Sequence, residues 1–307
     1  MTTTVTRPGP RHGGMAQQQR RAALLLLSPW LLGVVGITLL PILASLALSF
    51  TDYPLLSSPT FVGLDNFRTL LFEDERFRQS LVVTGIYTFV SVPLQLLFAL
   101  VLAVFLNRGI RGLSVYRALF YLPSLLGGSV AIAILWRQVF GLDGMVNKVL
   151  AQVGVAGPDW LADPRYSLWT LIALNVWMFG SPMVIFLAAL RQIPAELYEA
   201  AEVDGASKAR RFFTITLPLL TPIVFFNMVL QFIHAFQAFT PAFIVSSGKG
   251  GPADSTLLYS LYLYQEGFGN LRMGYASAMA WILLLITALF TAVNFGLARL
   301  WVFNADD

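Results

Sequence analysis

Six stretches of this chain, residues 22–50, 80–106, 118–136, 168–190, 218–246 and 274–298, contain no Asp, Glu, Lys or Arg. Nothing else in the sequence limits the fold so severely. A helix crosses the ~30 Å hydrocarbon core of a bilayer with about 20 apolar residues. In that core each backbone N–H and C=O must find a partner within the protein, so a spanning segment is a helix or part of a closed barrel. Runs this long, without two-residue alternation, predict an all-α polytopic membrane protein with six transmembrane helices. Composition agrees: 57% of the residues are hydrophobic and 12% charged, against about 25% charged in a soluble domain. A signal peptide is the rival reading of 22–50, because arginines precede its leucines, but a signal core is only about 7–15 residues long. The expected organisation is one membrane domain over 22–300. It lies between a disordered polar tail at 1–21, with Met15 as an alternative start, and a short tail at 301–307.

Charge sets the expected orientation. Arg7, Arg11, Arg20 and Arg21 precede the first run, Arg108, Arg111 and Arg117 follow the second, and Arg191, Lys208, Arg210 and Arg211 follow the fourth. The loop at 51–79 instead carries Asp52, Asp65, Glu73, Asp74 and Glu75 against Arg68, Arg76 and Arg78, and is net acidic. Cytoplasmic loops are enriched in Lys and Arg, so both termini are expected in the cytoplasm. The same bias accounts for the net charge of +4, since the basic residues are scattered over loop ends rather than gathered into a nucleic-acid face. The chain has no cysteine, which excludes disulfides, thiolate metal sites and cysteine nucleophiles.

The long charged segment between the fourth and fifth runs is the most informative. A helix is expected over 194–205. Pro194 suits a first turn, Glu196 favours the positive helix end, and Gly205 stops the helix before Ser207 caps another. Leu197, Ala200, Ala201 and Asp204 recur on one face. Each of its acids would cost about 2.5–3.5 kcal/mol at a membrane centre, so this helix lies outside the bilayer. An ordinary amphipathic connector fits the spacing equally well. The small residues Ala200, Ala201 and Gly205 would also let another protein approach the backbone closely.

Glu199-Ala200-Ala201, three residues, Gly205, nine residues, then Ile215-x-Leu217-Pro218 resembles the EAA signature of bacterial ABC-importer permeases. The resemblance implies a type I permease fold in the bacterial plasma membrane, with 194–205 as a coupling helix docked on a cytoplasmic ATPase dimer. Glu199, Ala200, Ala201, Asp204, Gly205, Leu217 and Pro218 would form the coupling segment. ATP and Mg would be bound by the ATPase, and this chain would need no cofactor of its own. W-L-L-G in the first run, W-R-Q-V-F-G-x-x-G-x-x-N at 136–147, W-L-A-D-P at 160–164, Gly250-Gly251-Pro252 with Ser255-Thr256, and G-Y-A-S-A-M-A-W at 274–281 are similar to the carbohydrate class. The pattern is nearer the maltose-type first permease subunit, but lacks its large insertion between early spans. Expected partners are therefore a homologous second permease and an extracytoplasmic sugar-binding protein, with transport by alternating access.

Chemistry within the runs is limited by what they lack. His234 is their only ionisable group apart from tyrosines, whereas proton- and ion-driven carriers use intramembrane charges as relays. There is no H-E-x-x-H, and Gly248-Lys249 lacks the rest of a P-loop, so no catalytic or metal residue is expected. Asn227, Gln231, His234 and Gln237 share one face of the fifth run. Interhelical polar contacts are one reading of that face. The other is a pathway for a neutral, hydroxyl-rich solute, with Phe232, Phe236 and Phe239 and, on the sixth run, Tyr275 and Trp281 supplying apolar surface. Asn175, Trp177 and Ser181 on the fourth run are weaker candidates, and Pro182 is expected to kink that helix. Two rivals remain at this point: a membrane enzyme or scaffold for a lipid-linked sugar, and an ion-coupled carrier.

Overall fold

The computed structural model describes residues 12–107 and 112–303. Five helical segments are long and apolar enough to cross a membrane: Ala23–Ser49, Glu75–Leu106, Ser167–Leu190, Lys208–Val245 and Met273–Ala298. A sixth is formed by Leu113–Leu126 and Val130–Gln152, which meet at 96°. The first half of that pair has 14 residues, about 21 Å of helix, too short to cross the core unaided. The single third span expected at 118–136 is thus a broken one. The break falls at Gly127-Gly128, where a Cβ on Gly127 would lie 2.3 Å from the Met178 side chain. Ser129 restarts the helix, its Oγ accepting from Ile132 N at 3.4 Å.

Two other spans are interrupted, and prolines explain where. The fourth divides into Ser167–Trp177 and Gly180–Leu190. Pro182 has no N–H to give the carbonyl four residues back, at Met178. That carbonyl instead accepts from Gln95 Nε2 and Ser124 Oγ, both at 2.9 Å. Ser124 Oγ also accepts from Ser181 N at 2.9 Å, so one hydroxyl bridges the break. The fifth span, expected as one helix over 218–246, runs from Leu217 to Phe236, stops, and resumes at Thr240–Val245. Pro241, at the start of the second piece, leaves the Gln237 carbonyl without its helical donor in the same way.

The N-terminal expectation needs correction as well. Helix begins at His12, so residues 12–21 are not a disordered tail, while 1–11 and 304–307 lie outside the described residues. Met15, Ala16 and Gln17 are good helix formers, and the helix through them extends the first span backwards. Its Leu40–Ser49 portion packs along the last span.

One end of the bundle is tied together by long-range polar contacts. The segment between the fifth and sixth spans contains a helix at Tyr259–Tyr264, with Tyr259, Leu261 and Tyr262 buried. Tyr259 N donates to Thr84 Oγ1 at 2.8 Å, and its hydroxyl donates to Met279 O at 2.7 Å. Asp74, capping the second span by accepting from Phe77 N, also accepts from the Tyr262 and Tyr275 hydroxyls. Burial pushes the Asp74 carboxyl up, but these hydroxyls and backbone amides outweigh it and hold the group below the usual carboxylate value. Arg76 grips Asp254 with two 2.9 Å bonds, and Glu266 pairs with Arg272 at 3.0 Å.

Candidate functional site

The charged segment at the other end forms a helix at Ala195–Val203, shorter than the expected 194–205, with Pro194 as its N-cap and Asp204 as its C-cap. Gly205 has φ +75°, the left-handed conformation that glycine adopts without penalty. Gly205 N donates to Glu202 O at 3.0 Å and Ala206 N to Ala201 O at 2.9 Å, the paired bonds of a Schellman stop. Ser207 then caps the next helix by accepting from Arg210 N. No residue of Ala195–Val203 is buried. Glu199 and Ala200 are exposed and Ala201 is half-buried, while Val203 is 89% exposed.

This projecting helix is held by residues that the sequence pattern did not single out. The Tyr198 hydroxyl meets Thr216 Oγ1 at 2.9 Å. Arg211 donates to Glu202 at 2.7 Å and to Tyr198 O at 3.4 Å. Glu202 is mostly solvent-exposed, so that ion pair orients more than it stabilises. Leu217 and Pro218 do not lie on the projecting helix. They are half-buried at the start of the fifth span, joined to it through a π-helical turn at Phe212–Thr216. The motif therefore has a protruding half and an anchored half.

All three helix interruptions open onto one cavity of about 480 Å³. Gln231, His234 and Gln237 line it from the fifth span, Asn175, Met178 and Ser181 from the fourth, Ser124 and Gly128 from the third, and Tyr87 and Gln95 from the second. Phe239, Thr240 and Pro241 also line it, and among the described residues no Asp, Glu, Lys or Arg does. Behind that surface Asn175 Nδ2 donates to Ser91 Oγ at 2.9 Å and to Gln95 Oε1 at 3.4 Å. The donors and acceptors of Gln231, His234 and Gln237 are left for something else, since their side chains make no hydrogen bond among the described residues. Amides, hydroxyls and one imidazole give both donors and acceptors without fixed charge.

Several sequence-predicted pathway residues lie elsewhere. Asn227 is fully buried away from the cavity, with both amide atoms unpartnered. Phe236 belongs to an aromatic core with Phe89 and Phe290, at centroid distances of 6.2 and 5.6 Å. Trp281 lines a separate apolar cleft with Pro41, Ile42 and Ser45 of the first span. Phe239, beyond the break at Gln237, lines the cavity, whereas Phe236, the last residue of the intact helix, stays in the core. Tyr275 is engaged by Asp74, and Trp177 packs at a tilt against Trp136, 6.1 Å between centroids. Tyr87 and Gln95 are lining residues that the sequence reading missed. Gln95, an amide two residues after Pro93 in an otherwise apolar run, was the available signal. Among the described residues no three His, Asp or Glu come together as a metal site.

An apolar bundle whose broken helices enclose an uncharged polar pocket, with a charged helix projecting from it, is built as a membrane permease subunit. The chain belongs to the binding-protein-dependent transport system inner membrane component family, whose pattern matches residues 72–302. It is 53% identical to the probable ABC transporter permease protein YesP of Bacillus subtilis (strain 168), over 92% of this chain and 91% of that protein. It is 35% identical to the lactose transport system permease protein LacF of Rhizobium radiobacter, over 85% and 88% of the two chains. Its fold matches a chain in the crystal structure of a bacterial ABC transporter that imports the acidic polysaccharide alginate, with TM-score 0.80 over 93% of this chain and 98% of that one. At 22% identity that likeness speaks for the fold alone.

Proposed function

We propose that this permease subunit forms half of the pathway through which an ABC importer takes up a neutral carbohydrate. The observation that carries the reading is the convergence of three helix breaks on one pocket without a charged side chain. A sugar offers hydroxyls that both donate and accept, and neutral amides satisfy them without the desolvation cost of an ion. The relatives' solutes support the class: lactose for LacF, and starch degradation products for AmyD of Thermoanaerobacterium thermosulfurigenes. UgpA of Yersinia pestis is named for sn-glycerol-3-phosphate, and the lack of a cation in the pocket argues against an anion of that kind here.

In this reading both termini and the Ala195–Val203 helix face the cytoplasm, and the end tied by Asp74 and Arg76 faces outward. A homologous permease supplies the other half of the pathway, and an extracytoplasmic binding protein delivers the solute. A separate ATPase dimer binds ATP and Mg and receives the projecting helix. Glu199 offers a carboxylate to a basic residue of the ATPase, and Ala200 and Ala201 pack in its groove. When the ATPases close, the helix moves. Gly205, Ser207 and the turn at Phe212–Thr216 pass that movement to Leu217, Pro218 and the fifth span, which carries Gln231, His234 and Gln237. The test is uptake of neutral and anionic sugars into proteoliposomes holding the assembly, with ATP inside and ion gradients collapsed by ionophores. Uptake of a neutral sugar supports the reading. Uptake only of anionic solutes, or uptake abolished by the ionophores, would refute it.

A further inference from the structure

We infer that Tyr264 and Phe268 form an aromatic track that passes sugar rings from the outward mouth of the bundle to the polar pocket; the inference rests on the proposed sugar pathway. Four rings run in sequence. Phe239 lines the pocket and lies 5.3 Å from Phe243 and 5.2 Å from Tyr264. Tyr264 in turn stacks on Phe268 at 5.2 Å and 29°. Exposure rises along the series: Phe239 and Phe243 are half-buried, Tyr264 is 38% exposed and Phe268 56%.

Phe268 is held outward by a rigid turn. Its neighbours Glu266 and Gly267 are buried. Glu266 bonds Asn270 at 2.9 Å and Arg272 at 3.0 Å, and Asn270 N donates to Gln265 O at 2.7 Å. Gln265 Nε2 donates to Gly248 O at 2.7 Å, tying the turn to the glycine loop against Phe243. An exposed aromatic ring offers apolar surface that an apolar ligand face can cover. A pyranose has such a surface, since its C–H groups gather on the ring faces while its hydroxyls point outward from the rim. Aromatic rings cover those faces by dispersion and water release, with no demand on which hydroxyls the sugar carries. The amides of the pocket then read the rim. Continuity with the pocket through Phe239 favours a sugar over a protein surface as the occupant.

The experiment uses the complete assembly with its binding protein in proteoliposomes, and a panel of neutral sugars comprising lactose, maltose and raffinose. Phe268→Ala and Tyr264→Ala should each lower uptake of the transported sugar about tenfold, equivalent to ~1.4 kcal/mol. Phe268→Trp and Tyr264→Phe should keep wild-type uptake, and ATPase stimulation by the loaded binding protein should be unchanged in all four variants. Alanine variants that transport like wild type would overturn the track. So would loss of stimulation together with transport, which would make the rings a docking surface for the binding protein. A wild-type assembly that moves none of the panel would instead fail at the proposed sugar pathway itself, before the track is tested.

Discussion

The projecting helix and the polar pocket are built in opposite ways. The helix is local: Pro194, Gly205 and Ser207 set its limits within a few residues of one another, and its surface is charged and exposed. The pocket is assembled from four spans, and its shape depends on contacts such as Gln95 to Met178 O, 83 residues apart in sequence. In the proposed function one region transmits force through a short segment, whereas the other recognises a solute with groups that no short segment contains. Substitutions should therefore separate them, with the helix controlling coupling and the pocket controlling uptake.

The largest effect is expected at the helix. Gly205→Val places a β-branched residue at φ +75°, a conformation that costs roughly 1–2 kcal/mol for ordinary residues. No heavy atom lies within 4 Å of the position a Cβ would take, so the penalty is conformational and the rest of the fold is untouched. Sugar-stimulated ATP hydrolysis should fall more than tenfold, with normal membrane insertion by protease protection. Glu199→Lys, on an exposed side chain, should do the same without changing thermal stability. Stimulation retained in both variants would remove the distinction between the regions.

Next come the pocket residues. Gln231→Leu and His234→Leu should each reduce uptake about 2–10-fold, the range set by the ~0.5–1.5 kcal/mol of an ordinary hydrogen bond. Basal ATPase activity should stay at the wild-type level. Asn227→Leu sharpens the contrast, because it lies on the same helix but outside the cavity. Removing its unpartnered amide should leave uptake unchanged and raise the thermal midpoint of the purified assembly. A loss of uptake equal to that of Gln231→Leu would bring Asn227 back into the pathway.

The smallest effect concerns the tie made by Asp74 at one end of the bundle. The Asp74 carboxyl is held below its usual value, so it contributes stability above the unfolded-state pKa of about 3.9 and loses it as pH falls through the folded value. Thermal stability should depend on this group only in acid, below about pH 4, and should be flat with respect to it from pH 5 to 8. Asp74→Asn should flatten the acid limb relative to wild type. An unchanged limb would show that Tyr262 and Tyr275 do not depend on the charge.

What the sequence made legible follows the same division. The charge-free runs were visible because hydrocarbon excludes ions, and the ends of the projecting helix were visible because Gly205 and Ser207 act on their own neighbours. The interruptions were only half visible. Pro182 stood out, but that Met178 O would be rescued by Gln95 and Ser124 depends on how the spans pack. Helical periodicity put Asn227, Gln231, His234 and Gln237 on one face, with Phe236 expected nearby; Phe236 instead packs into the core against Phe89 and Phe290. The buried helix at Tyr259–Tyr264 was hidden because its support comes from Thr84, Asp74 and Met279 on other spans.

The most direct test is the ATPase activity of the reconstituted assembly, measured with its binding protein empty and then loaded with each of a set of neutral and anionic sugars. The account predicts stimulation by a neutral sugar and its loss in Glu199→Lys. An assembly with no associated ATPase, or one stimulated only by anionic solutes, would contradict it.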